Sequence, residues 1–123
     1  GPETPLVTAA VPYYNLPDFL PETLASLAAQ TYPNLEVVVV DDGSTDPRAA
    51  EWFDRMALAY PHFRFVRQPN GGLGAARNRA LAEARGELFL PVDADNLARP
   101  EMVERFVAAM ANRPDVASLA CYY

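Results

Sequence analysis

The sequence predicts an α/β fold: a mostly parallel sheet with helices on both faces. Three observations predict it. Short apolar runs alternate with longer stretches at helical spacing, in the order β-α-β-α-β-α-β-α-β. One run, Leu35 to Val40 (LEVVVV), is β-branched and nearly continuous, as in a strand covered on both faces. Finally, Pro12, Pro17, Pro33, Pro47, Pro61, Pro69, Pro100 and Pro114 stand at segment borders, where they punctuate an ordered chain.

Each element has its own reason. Leu6 to Val11 (LVTAAV) is a short apolar run. Pro17 to Thr31 places Phe19, Leu20, Leu24, Leu27 and Ala28 near a 3.6-residue period, with Asp18 or Pro21 suited to its first turn. After the Leu35–Val40 strand, Pro47 to Tyr60 is amphipathic, with Pro47 fit for the first helical position and one of Ser44, Thr45 or Asp46 as its cap. Trp52 and Phe53 lie mid-helix and read as core. Phe63 to Val66 is a strand. Leu73 to Arg85 is rich in helix formers and stops before Gly86, a candidate C-cap. Glu87 to Val92 is a strand, and Pro91 inside it predicts a bulge or a strand end, because proline donates no ladder hydrogen bond. Pro100 to Asn112 is a helix stopped by Pro114, and Val116 to Tyr122 is a last apolar strand.

Composition narrows the function. The 123 residues make one domain or a piece of one, and 50% hydrophobic residues suffice for a core. The formal net charge of −6 opposes non-specific nucleic-acid binding, and no basic amphipathic stretch suits an anionic membrane surface. No lysine occurs, which excludes every lysine-dependent mechanism. One histidine, His62, and one cysteine, Cys121, cannot build a zinc site or a histidine-activated nucleophile, and neither is given a role. The lone cysteine excludes an internal disulfide, and no run reaches membrane-span length. Gly1-Pro2 looks like a protease-cleavage scar within a disordered start at residues 1–5.

In an open α/β sheet, ligands bind outside the carboxyl ends of the strands. Four polar segments follow the four strands: Val11-Pro12-Tyr13-Tyr14-Asn15, Asp41-Asp42-Gly43-Ser44, Asn70 to Asn78, and Asp93-Ala94-Asp95-Asn96. Asp93 and Asp95 fit a clamp for Mg²⁺ or Mn²⁺, which are held by one or two carboxylates plus substrate phosphates. Alternation along an extended chain turns both the same way. Taken alone, the pair fits a solvated turn better, with Asp95 or Asn96 starting a helix. Asp41 and Asp42 are costly at a strand end unless used, and a carboxylate there can accept the imide N–H of uracil or the ring N–H of guanine. The Asn70–Gly74 loop is either a mobile turn or a backbone approach to phosphate at a helix start, with Arg77 one turn on, within reach of an anion there or else a plain surface arginine. It is neither a P-loop nor the dinucleotide fingerprint. Tyr13 and Tyr14 read as packing residues, one of which could stack on a base. A diphosphate beside these acids meets repulsion of about 3 kcal/mol per like pair at about 5 Å and an effective dielectric of about 20. Arg77 alone cannot offset that, so a nucleotide diphosphate here needs a divalent cation.

VPYYN, AQTYPNLEVVVVDDGSTD and NGGLGAARNRALAEARGELFLPVDADN together resemble the nucleotide-binding half of a family 2 glycosyltransferase with the Rossmann-like GT-A fold, over roughly residues 6 to 112. The resemblance implies transfer of a sugar from a nucleotide-diphospho sugar, usually UDP-linked, with inversion at the anomeric carbon. It makes Asp93-Ala94-Asp95 the family's DxD motif. Asp95 would ligate Mn²⁺ or Mg²⁺, and Asp93 would touch the ribose or share the metal. Asp42 would accept from the base, Pro12 and Tyr14 would line the base pocket, and Arg77 would face the diphosphate or donor sugar. Pro12 stands where some relatives carry a hydroxyl residue, so base contacts there could be backbone only. The family's catalytic base lies in an acceptor-binding half, expected beyond Tyr123. Residues 6–123 are then a donor-binding part, inactive alone for transfer, with self-association expected through an uncovered Val116–Tyr123 edge. A cytoplasmic location is expected, with the parent protein at the inner face of a membrane. The competing readings are weaker. A nucleotidyltransferase needs a basic loop near its start, which Leu6–Asn15 lacks. A receiver domain needs its acidic pair after the first strand, and a lysine. A non-catalytic nucleotide-binding or structural α/β module is the alternative that remains.

Overall fold

A computed structural model of the chain describes residues 4–95 and 97–112. Its elements run β1 (Val7–Tyr13), α1 (Leu20–Ala28), β2 (Leu35–Asp41), α2 (Pro47–Ala59), β3 (Arg64–Arg67), α3 (Leu73–Glu83), β4 (Leu88–Pro91) and α4 (Met102–Asn112). The four strands form one sheet in the order β3-β2-β1-β4, all parallel. The run 116–122, expected as a fifth strand and an association edge, lies outside the described residues.

Period-two alternation divides each central strand between two cores. Val7, Ala9, Val11 and Tyr13 of β1 and Val37 and Val39 of β2 face a large cluster with Leu20, Leu24 and Leu27 of α1, Phe53 of α2 and Val103 and Phe106 of α4. Ala10, Val38 and Val40 face the opposite side, where Ala76 and Ala80 of α3 cover them. Helices therefore lie on both faces, as the continuous LEVVVV run requires.

The boundaries correct the sequence reading in several places. β1 continues to Tyr13 because it pairs with β2 along its whole length, from Val7 opposite Leu35 to Tyr13 opposite Asp41. α1 begins at Leu20, with Pro21 in its first turn; Asp18 lies outside it and pairs with Arg48 at 2.5 Å. Asp46 is the cap of α2, accepting from the Arg48 N–H at 2.9 Å. Phe53 is buried, but Trp52 is only half-buried and lies beneath the Arg55 guanidinium, 5.1 Å from its ring centre. Pro91 ends β4, one of the two outcomes the sequence predicts for it. Gly86 is not a helix cap. α3 stops at Glu83, and Gly86 instead passes so close to β1 that a Cβ would lie 2.6 Å from Thr8 Oγ1.

This order places the topological switch point between β1 and β4, since β2 and β3 extend to one side and β4 to the other. The far end of the sheet is closed by polar contacts. Buried Thr8 donates to Glu36 at 2.5 Å and accepts from the Gly86 N–H at 2.9 Å, while Glu36 also accepts from the Arg85 N–H and pairs with Arg64. The near end is open.

Candidate active site

A cavity of about 470 Å³ opens at the carboxyl ends of β1, β2 and β4 and the start of α3. It brings together Pro12, Tyr14, Asp42, Asp93 and Asp95, along with Leu16, Asn70, Gly72 and Leu73. Arg77 does not line it; its Nη2 lies 3.8 Å from Asp93 Oδ1. A larger groove of about 690 Å³ runs beside Leu88 and α4, with Glu87 and Glu104 as its charged residues. It starts at the opposite end of β4 and gathers none of the rim loops.

Tyr13 and Tyr14 have opposite fates. Tyr13 is buried, stacks on Phe53 with ring centres 6.2 Å apart, and donates its hydroxyl to the Ala49 carbonyl. Burial, and then the charges of Asp41, Asp46 and Asp18, push its phenol pKa up. Tyr14 is 44% exposed and presents its ring to the cavity.

Asp41 and Asp42 are both buried, and the structure shows what offsets their cost. Asp41 accepts from the Ser44 N–H at 3.1 Å and lies 3.5 Å from Arg67 Nε. That arginine also packs over Phe53 and pairs with Asp54 at 2.8 Å. Asp42 is held by the glycine loop. Its Oδ1 accepts from Gln68 Nε2 and the Gly71 N–H, each at 2.9 Å. Its Oδ2 accepts from the Gly72 N–H at 2.9 Å and Asn70 Nδ2 at 3.3 Å. Burial alone would raise the Asp42 carboxyl, but the bonds from Gln68, Gly71 and Gly72 outweigh it and hold the pKa below the usual carboxylate value. Glycine is required where this loop meets its neighbour. Gly43 has φ +72°, and a Cβ there would lie 2.6 Å from the Asn70 nitrogen. Gly72 has φ +92° and directs its N–H to Asp42 just before α3.

Asp93 and Asp95 share the cavity for a reason other than alternation. β4 has ended, and the chain turns at Ala94-Asp95. Ala94 is buried in the main core, and its carbonyl accepts from Thr23 Oγ1 of α1 at 2.7 Å. This anchor leaves the flanking carboxylates at the rim, Asp93 half-buried and Asp95 exposed. Among the described residues nothing hydrogen-bonds to either carboxylate, and only Arg77 approaches one, at 3.8 Å. The Arg77 Nε is buried without a partner there. Two open carboxylates fit a hard divalent cation that completes its shell with water and phosphate oxygens. No group of three or more potential metal ligands occurs among the described residues.

The sequence did not single out Gln68, Arg67, Thr23 or Asn15, yet each fixes a rim loop. Gln68 had a signal, because it follows β3 as Asp42 follows β2. Thr23 had none, because its partner is 71 residues away.

The family model described as glycosyl transferase family 2 matches residues 8–123. The glycosyltransferase GlyG of Streptococcus pneumoniae is 32% identical over 96% of this chain and 39% of its own. The structure of S. aureus TarS in complex with UDP-GlcNAc is 34% identical, with a TM-score of 0.75, over 87% of this chain and 31% of that one. The mannosyltransferase PcManGT from Pyrobaculum calidifontis, in complex with GDP-Man and Mn²⁺, is 38% identical, with a TM-score of 0.67, over 76% of this chain and 28% of that one. The chain thus spans about a third of the length of the curated relatives it matches. Among the described residues no helix is long and apolar enough to cross a membrane.

Proposed function

The chain belongs to glycosyl transferase family 2, and on that premise we propose that it is the donor-binding part of a metal-dependent, inverting transferase. The donor is a nucleotide-diphospho sugar, UDP-linked in the first instance. The observation that carries this reading is the convergence of Tyr14, Asp42, the start of α3, Asp93 and Asp95 on one cavity at the β1/β4 switch point. Tyr14 and Pro12 line the slot for the base. Asp42 accepts a base N–H; its four donors fill the roughly four acceptor sites of a carboxylate, so the base must take the place of one. Asn70 Nδ2, the longest of the four, is the readiest to yield.

Asp95 holds Mn²⁺ or Mg²⁺, and Asp93 shares it or meets the ribose. When bound, the ion neutralises the diphosphate and eases its departure from the sugar. Arg77 faces the diphosphate or the donor sugar. Its unpartnered Nε supports that role, since a phosphate oxygen is the acceptor it lacks. The catalytic base and the acceptor site belong to polypeptide outside this chain, which by itself binds nucleotide and transfers no sugar. The full-length enzyme works in the cytoplasm.

Calorimetric titration of the chain with UDP, GDP, dTDP and CMP, with and without Mn²⁺, tests the reading. Metal-dependent binding of a diphosphate is expected. Binding of none of them, by this chain or by the full-length protein, would leave a structural α/β module.

A further inference from the structure

Asn15 is the only non-glycine residue with positive φ among the described residues, at +52°. Asparagine tolerates this conformation better than most residues, at a cost that something must offset. The offset is visible. The Asn15 N–H donates to Ser44 Oγ at 3.0 Å. Its Oδ1 accepts from the N–H groups of Thr45 at 2.9 Å and Asp46 at 3.0 Å, and its Nδ2 donates to Thr45 Oγ1 at 3.0 Å. Four hydrogen bonds thus tie the turn after β1 to the loop between β2 and α2.

Both segments reach the cavity: Tyr14 precedes Asn15, and Asp42, two residues before Ser44, lines the cavity with Tyr14. On the other side of Tyr14, Tyr13 is fixed by its hydroxyl on Ala49. Tyr14 is therefore an exposed ring between two locked neighbours. We propose that Asn15 is a positioning residue for nucleotide binding, setting the distance between the Tyr14 ring and the Asp42 loop so that a flat base fits between them. This rests on the donor-site reading above and adds the residue that sets the slot. Asn15 itself touches no ligand.

The test is a double-mutant cycle on the full chain, read by the Kd of UDP or GDP in Mn²⁺, whichever binds the unaltered chain more tightly. Asn15→Gly keeps the left-handed backbone but removes the three side-chain bonds. It is expected to weaken binding about 10-fold when Tyr14 is present and less than about 2-fold in a Tyr14→Ala background, because the two changes remove one shared effect. Thermal midpoints should fall equally in both backgrounds. Asn15→Asp keeps the acceptor for Thr45 and Asp46 and should restore affinity to within about 2-fold. If Asn15→Gly does not fold, Thr45→Val carries the same cycle, with about a 3-fold loss expected only when Tyr14 is present. Equal losses in both backgrounds, or no loss with lowered stability, would make Asn15 a structural residue and overturn the proposal. Absence of nucleotide binding to the unaltered chain would instead remove the donor-site reading, and this inference with it.

Discussion

The two acid pairs on the rim are built from the same residue type and used in opposite ways. Asp41 and Asp42 are each 3% exposed, and every carboxylate oxygen has a donor or cation from the protein. Asp93 and Asp95 lie at the surface with one long ion pair between them. A buried charge is tolerated only when it is paired and hydrogen-bonded, so the first pair is architecture, of which Asp42 alone also lines the cavity. The second pair is held by its backbone, through Ala94 and Thr23, and its charge is left for something else. The difference separates what shapes the cavity from what fills it.

Substitutions should sort along that line. The largest effect belongs to Asp95→Ala: nucleotide affinity in Mn²⁺ should fall about 100-fold, roughly 2.8 kcal/mol, with the urea midpoint unchanged. Gly43→Ala should do the reverse. Its Cβ meets the Asn70 backbone nitrogen at 2.6 Å from a φ of +72°, so strain and clash should cost about 2–4 kcal/mol in urea unfolding.

Asp42→Asn comes next. The amide turns one acceptor into a donor facing other donors, which costs about 1–3 kcal/mol. The same variant changes the pH profile. Because the folded-state pKa of Asp42 lies below its unfolded value, its contribution is complete above about pH 4 and is lost as pH falls through the folded value. Acid unfolding of Asp42→Asn should therefore be shallower than that of the unaltered chain below about pH 4. The smallest effect is Asp93→Asn on stability. Its contact with Arg77 is long and both groups are more than 40% exposed, so the change should stay below about 0.5 kcal/mol by the same urea assay. A loss of 2 kcal/mol or more there would break the comparison.

The sequence made the frame of the molecule legible because its signals are local. LEVVVV needs two covered faces and receives them, and Pro17, Pro33, Pro61, Pro69 and Pro100 stand between elements, although Pro12 lies within β1. Five of the six candidate site residues meet in one cavity because strand ends are readable and a parallel sheet gathers them on one rim. What the sequence concealed is long-range. The loop that engages Asp42 lies 26 to 30 residues on, and no periodicity reports that the glycine N–H groups turn inward to a carboxylate rather than outward to a ligand. Trp52 misled for a related reason: it sits on the same helix as Phe53, about 100° around the axis, and only one of two adjacent positions can face the core.

The most direct measurement of the account is the free-Mn²⁺ signal in electron paramagnetic resonance, titrated with the chain in the presence of UDP. The unaltered chain and Asp41→Asn should deplete the signal alike, whereas Asp95→Ala should leave it near that of Mn²⁺ with UDP alone. Depletion by Asp95→Ala equal to that of the unaltered chain, or its loss in a folded Asp41→Asn, would contradict the assignment of the ion to the open pair.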